Sequence, residues 1–369
     1  MAGIYIHIPF CKQACNYCNF HFTTSLHYKA DLVHAIVKEI ELKKDKIHAP
    51  IETIYIGGGT PSLLSIQELE QIFDALHKNF NTSKVTEITL ETNPDDINEA
   101  HLHSWSKIGI NRLSIGVQSF FDEDLVWMHR AHNASQSINA LQLATQIFDN
   151  ISIDLIYGTP TLTDDKWQKN VQKTIDLGIA HISCYALTVE PNTPLHKQIK
   201  QHKKENVDAE KQAHHFTLLM HWLQNAGYDH YEISNFSLPG KRSQHNSSYW
   251  KGIEYMGIGP GAHSFFGHQR MWNITNNQRY IQSIHQGIIP EEVEHLSDTE
   301  IANEKIMIQL RTMEGLSLLD FSTEQQKSMV PKIEKYAQQK LVTIKNNFVI
   351  LTEHGKLFAD GIASDLFFL

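Results

Sequence analysis

The sequence has no long apolar run. Nowhere in its 369 residues do roughly eighteen consecutive apolar residues occur, the length a membrane span needs. It has no excess of positive charge either. Lys and Arg number 32 against 41 Asp and Glu, a net charge of −9, which argues against a polyanion binder and leaves room only for a local basic patch. Cysteine is scarce at four residues. The start, MAGIYIHIPFCK, lacks a basic n-region, and His7 and Pro9 interrupt its apolar run, so it does not read as a signal peptide. With nothing marking export the chain reads as cytoplasmic, and four thiols in a reducing compartment argue against a disulfide framework. Repeats and low-complexity tracts are also missing. The excess is in histidine, at 23, so no histidine can be singled out by its presence alone. Hydrophobic residues at 41% and charged residues at 20% describe a globular chain. Its length predicts two to three domains, or one large barrel with an appendage.

The first half repeats a short β-branched run, a polar or glycine-rich loop and an amphipathic stretch. The runs Ile4–Ile8, Thr53–Ile56, Glu87–Leu90, Arg112–Ile115, Ile151–Ile156 and His181–Leu187 are predicted strands. Helical periodicity lies between them, as in Leu32, Val33, Ile36, Val37, Ile40 and in Ile66, Leu69, Ile72, Phe73, Leu76. Ser65 with Glu68 makes a capping box before the second set. A third helix carries Trp167, Val171 and Ile175 and stops at Gly178. Strands alternating with helices call for a parallel α/β sheet, either an open doubly wound one or a full or partial barrel. Residues 1–230 form this core. Residues 231–297, rich in glycine and aromatics with few helical signals, read as a loop-rich elaboration upon it. Residues 298–369 read as a small helical, winged-helix-like domain, with a hairpin LVTIKNNFVILT turning at Asn346-Asn347. Residues 300–369 carry eight Lys/Arg and nine Asp/Glu, a net of 8 − 9 = −1. That excludes nucleic acid as the domain's partner, because phosphate contacts need a basic face, and it disfavours a zinc-containing winged-helix regulator.

The chemistry concentrates in Cys11-Lys-Gln-Ala-Cys15-Asn-Tyr-Cys18, a C-x3-C-x2-C loop directly after the first predicted strand. Thiolates hold iron–sulfur clusters, and three of them leave one iron of a [4Fe–4S] cluster open for a further ligand. The competing reading is structural zinc held by the three cysteines with His7 or His21, although there is no second knuckle. Cys184, on a predicted strand with Ile182 and Ala186, reads as a small hydrophobe without a function. Gly57-Gly58-Gly59-Thr60-Pro61 follows the second strand, where glycines let backbone approach a ligand closely. Glu91 ends the third strand, Gln118 ends the fourth, Arg130 follows in MHRAH, and Asp154 breaks the apolar alternation of the fifth. In a parallel barrel all of these would meet at the C-terminal ends of the strands.

The cysteine spacing resembles the hallmark of the radical S-adenosylmethionine superfamily, and the chain as a whole resembles the oxygen-independent coproporphyrinogen III oxidase family within it. The resemblance implies a partial (β/α)6 barrel of the TIM type. It also implies a cluster on Cys11, Cys15 and Cys18, and S-adenosylmethionine bound by Tyr5, Gly58, Gly59, Thr60, Glu91, Gln118, Arg130 and Asp154. Two features separate branches of the family. The oxidases carry a further cysteine two positions after the third, where this chain has Phe20, and a segment ahead of the position of Tyr5, where this chain has four residues. The stretch YEISNFSLPGKRSQHNSSYWKGIEYMGIGPGAHSF resembles instead the signature of the family's heme-chaperone branch, whose HNxxYW motif implies heme ligation by His245 beside Tyr249 and Trp250. Imidazole is a common axial heme ligand, and His263 in GPGAHSF is the competing candidate. The implied function is binding heme and passing it to acceptor hemoproteins at the respiratory membrane, with homodimerisation as a further implication. The alternative is oxidative decarboxylation of coproporphyrinogen III in porphyrin biosynthesis.

Overall fold

In the computed structural model, which describes residues 2–369, the six β-branched runs become β1 (Ala2–Ile8), β2 (Ile51–Gly58), β3 (Glu87–Thr92), β4 (Arg112–Gln118), β5 (Ile151–Tyr157) and β6 (His181–Ala186). They pair in chain order and in parallel. Parallel neighbours need crossovers, and helices supply them: Lys29–Leu42, Ile66–Asn79, Glu99–Lys107, Ala134–Ala144 and Asp164–Asp176. The capping box forms as expected. Ser65 Oγ accepts from the Glu68 N–H, and the Glu68 carboxylate accepts from the Ser65 N–H.

Alternation gives each strand two faces. Ile4, Ile6, Ile8, Ile54, Ile56, Leu113, Ile115, Ile153 and Ile182 are fully buried against the helices, each stabilising the fold by about 1.5–3 kcal/mol. Cys184 belongs to the same apolar core. The other face of each strand points inward and is polar or aromatic. It carries Tyr5 and His7 of β1, Thr53 and Tyr55 of β2, Glu87 and Glu91 of β3, Arg112 and Gln118 of β4, and Asp154 of β5. Apolar burial on the helix side stabilises the barrel and leaves the inner side free for polar groups.

The barrel does not close. β7 (Asp229–Glu232) and β8 (Asn235–Ser237) continue past β6, while β9 (Tyr255–Ile258), β10 (His263–Phe266), β11 (Gln269–Asn273) and β12 (Glu291–His295) extend the sheet beyond β1 to twelve strands. The fold is therefore α/β, a partial (β/α)6 barrel with added strands at both edges. Residues 231–297 accordingly contain regular structure where the sequence suggested loops. These strands are three to five residues long, too short to show a period. No helix among the described residues is long and apolar enough to cross a membrane.

From Asp298 onward a separate core forms around Ile306, Leu310, Leu316, Ile333, Val349 and Ile362. Its helices Asp298–Leu310 and Thr323–Gln338 pack with β13 (Leu316–Ser317), β14 (Val342–Lys345) and β15 (Phe348–Leu351). Asn346 and Asn347 sit at φ 51° and 66°, the left-handed pair that the hairpin turn requires. Arg311 fastens this unit to the barrel, donating to buried Glu232 at 3.1 Å and to Asp360 at 2.9 Å.

Candidate functional site

The cysteine loop is held by contacts from several parts of the chain. It closes on itself where the Cys11 N–H donates to the Thr23 carbonyl at 3.0 Å and the Thr23 N–H to that of Pro9 at 2.8 Å. The segment after β4 holds its middle. Asn16 donates through its N–H to the Met128 carbonyl and through Nδ2 to that of Trp127 at 2.7 Å. Gln13 Nε2 reaches the His129 carbonyl, and His129 Nδ1 reaches that of Ala14. Lys12 pairs with Asp95 at 2.9 Å and with Asp96. Cys11, Cys15 and Cys18 are half-buried on one wall of a cavity of about 560 Å3 at the C-terminal ends of the strands. Burial pushes the Cys11 thiol up to about 11, with the Thr60 hydroxyl and Arg130 opposing, and burial also raises Cys18 against the Phe20 N–H. Arg130 Nη1 donates to Cys15 Sγ at 3.3 Å.

Three thiols lining one cavity suit three irons of a [4Fe–4S] cluster, with the fourth iron left open. They do not suit single zinc, since no three His, Cys, Asp or Glu among the described residues converge on one ion. The histidines that zinc would need are engaged elsewhere. His7 Nε2 bonds the His21 carbonyl at 2.9 Å and its Nδ1 the Tyr5 hydroxyl at 3.1 Å, while His21 Nε2 bonds Asn277 at 2.7 Å.

All eight residues expected to hold S-adenosylmethionine line that same cavity: Tyr5, Gly58, Gly59, Thr60, Glu91, Gln118, Arg130 and Asp154. The glycines have steric reasons. A Cβ on Gly57 would stand 2.8 Å from Glu91 Oε1, and one on Gly59 2.6 Å from the Phe10 carbonyl, where β2 meets the chain leading into the cysteine loop. The Glu91 carboxylate accepts from the Tyr55 hydroxyl at 2.7 Å and from the Gly58 N–H at 2.9 Å. Burial raises Glu91 to about 7, with Asp154 adding to the rise, and burial raises Asp154 to about 6. Gln118 is held at φ 67°, a strained setting for a residue with a Cβ and one that clusters at functional sites. Arg130 spends more of its fork on protein than the sequence suggested. Besides Cys15, it donates to Asn93 Oδ1 at 2.7 Å and to the Gly116 carbonyl at 2.9 Å. Asn93, which also donates to Thr60 Oγ1, and Tyr55 were missed. Tyr55 lies within the predicted strand Thr53–Ile56, and Asn93 stands two residues after Glu91.

His245 lies at the other end of the barrel. Its stretch forms a helix, Gln244–Trp250, that plugs the N-terminal ends of β1–β3. The Gln244 and His245 N–H groups donate to the Glu87 carboxylate, both at 2.9 Å. The ring is 1% exposed, with Nδ1 bonded to Thr53 Oγ1 at 2.7 Å and Nε2 to the Tyr249 hydroxyl at 2.8 Å. Burial, helped by Arg112, lowers His245 to about 3, so the ring is neutral, the form that ligates metal. Tyr249 touches it edge-on at 5.1 Å, and Trp250 faces Arg311 instead. His263 is exposed on β10, 6.1 Å from the Trp272 ring, and does not line the cavity.

Residues 5–174 match the radical SAM superfamily and residues 296–358 the HemN C-terminal domain. The chain is 30% identical to the heme chaperone HemW of Mycobacterium tuberculosis, over 99% of this chain and 94% of that one. It is 32% identical to the heme chaperone HemW of Bacillus subtilis, over 98% of each. Among solved structures, coproporphyrinogen III oxidase (HemN) from Escherichia coli, a radical SAM enzyme, superposes with a TM-score of 0.85 at 20% identity, over 99% of this chain and 89% of that one. With the cysteine loop, the polar cavity and relatives matched over nearly its whole length, the chain belongs to the HemW family of the radical SAM superfamily.

Proposed function

We propose that this protein binds heme and delivers it to acceptor hemoproteins, on a scaffold that holds a [4Fe–4S] cluster through Cys11, Cys15 and Cys18 and S-adenosylmethionine in the adjoining cavity. The observation that carries the cofactor half is convergence: residues from six strands and their following loops line one cavity beside three thiols. When bound, the cluster supplies an open iron and reducing electrons. The chain's own groups supply the rest, with carboxylates Glu91 and Asp154 facing a cation and Arg130 holding Cys15 and the cavity wall. The heme half is supported by the HemW relatives and by the HNSSYW helix, whose His245 is neutral and flanked by aromatic rings. Because both ring nitrogens of His245 are bonded within the barrel floor, ligation follows outward movement of the helix Gln244–Trp250.

The test is heme titration of cluster-loaded protein. It should give a histidine-ligated spectrum, and His245→Ala should lower heme occupancy several-fold while leaving iron and sulfide content unchanged. Retention unaffected by His245→Ala moves the ligand, with His263→Ala next. Turnover of coproporphyrinogen III without heme retention replaces the proposal with the oxidase reaction.

Cofactor binding should depend on pH. A cationic ligand prefers ionised carboxylates, and Glu91 and Asp154 ionise only as pH rises through about 6 to 7. Tyr5 and Tyr55 also face Glu91, and burial keeps both phenols protonated through that window. Affinity for S-adenosylmethionine should therefore fall by about tenfold or more from pH 7.5 to 5.5. Calorimetry across that range checks it, and a flat profile would remove the two carboxylates from the site.

A further inference from the structure

The inward face of β2 runs from the barrel floor to the cavity in three steps: Thr53, Tyr55 and Gly57. Thr53 holds His245 Nδ1 at 2.7 Å. The Tyr55 ring lies against the His245 ring, with centroids 5.1 Å apart and planes 30° from parallel. At its far end the Tyr55 hydroxyl donates to Glu91 Oε1 at 2.7 Å. Gly57 is what lets that bond form, since a Cβ there would stand 2.8 Å from both Glu91 Oε1 and Tyr55 Cε1. Tyr55 is 8% exposed, and burial together with Glu91 keeps its phenol protonated, so it remains a donor. One rigid side chain thus touches the carboxylate of one site and the imidazole of the other.

We propose that Tyr55 is a positioning residue that couples the two sites: Glu91, ionised against a cationic cofactor, grips the Tyr55 hydroxyl and holds the ring on His245, so that cofactor occupancy keeps the floor shut and favours heme release. A hydrogen bond to an ionised acceptor is about twice as strong as one to a neutral acceptor, which gives the coupling its direction. Coupling is reciprocal, so heme on His245 weakens the cofactor by the same factor. The inference rests on the reading of Glu91 as a cofactor residue and His245 as the heme ligand.

The experiment uses the full chain with its cluster, and its first readout needs no heme. Amide hydrogen exchange of peptides covering residues 243–252 is measured with and without S-adenosylmethionine. In the native chain the cofactor should slow exchange by roughly fivefold. Tyr55→Phe keeps the ring and loses the hydroxyl. It should keep its cluster and, at saturating cofactor, lose the cofactor's effect on the floor. Tyr249→Phe frees His245 Nε2 without touching Glu91, and should exchange faster overall while still responding to the cofactor. Heme titration then reads the second arm: the cofactor should weaken heme binding in the native chain and leave it unchanged in Tyr55→Phe. Floor exchange indifferent to the cofactor in the native chain, or responding equally in Tyr55→Phe, overturns the coupling. If His245→Ala leaves heme binding intact, the ligand assignment fails, and the exchange result still decides the coupling.

Discussion

Serine in place of any one of Cys11, Cys15 or Cys18 should leave the chain folded and abolish its iron and sulfide. The loop has protein contacts other than its thiols. It is held by the backbone bonds to Thr23 and Pro9, by Asn16 on Met128 and Trp127, and by Lys12 on Asp95 and Asp96. A serine hydroxyl cannot replace a thiolate, and a cluster with three protein ligands cannot spare one. Reconstitution without oxygen, followed by iron and sulfide assay, should read close to four of each per native chain and near zero in each variant, with unchanged circular dichroism. Cys184→Ser is the control. Cys184 packs on the helix side of β6 in the apolar core, so the substitution should lower stability and leave the cluster. A single variant that keeps its cluster would mean a fourth ligand from elsewhere. Stoichiometric zinc without sulfide would restore the zinc reading.

Much of this was legible because it follows from local rules. Six β-branched runs separated by helical periods can hardly form anything but parallel strands with crossovers, and every strand-end residue then lands on one rim. Glu91, Gln118 and Asp154 could be read because each interrupts or ends an apolar strand. The floor was not legible. That His245 closes the opposite end, bonded to Thr53 and Tyr249 and stacked on Tyr55, depends on a helix of seven residues docking across β1–β3. Seven residues carry too little periodicity to announce a helix. The Glu87 carboxylate that caps it lies 157 residues away in sequence from Gln244. The edge strands were missed for the same reason of length. Nothing in MHRAH shows that Asn93, Gly116 and Cys15 engage Arg130.

Removing either member of one buried ion pair should destabilise the chain more than any change at the cofactor cavity. In KEIELKK, Glu39 is 0% and Lys43 2% exposed. Lys43 Nζ lies 2.7 Å from Glu39 Oε1 and donates to the Gly257 carbonyl at 3.0 Å. Glu39 also accepts from the Gly259 N–H at 2.8 Å, from Asn273 Nδ2 at 2.6 Å and from the Tyr280 hydroxyl at 2.5 Å. The pair therefore fastens the Lys29–Leu42 helix to β9, β11 and the loop between β9 and β10, against β1 where the cysteine loop begins. Glu39→Ala leaves the buried ammonium with Glu291 at 3.5 Å as its remaining carboxylate and strands several donors, and Lys43→Ala strands a buried carboxylate. Each should cost about 3–5 kcal/mol, measured as the shift in urea unfolding of the native chain and variants under one condition. Glu39→Leu combined with Lys43→Met leaves no orphaned charge and fills similar volume, so it should cost less than the two alanine variants added together. The single variants should also load cluster poorly, because β9 pairs directly with β1 and the Gly259 backbone packs on His7. Single substitutions costing less than about 1 kcal/mol would show that water reaches the pair in solution, as at an exposed salt bridge.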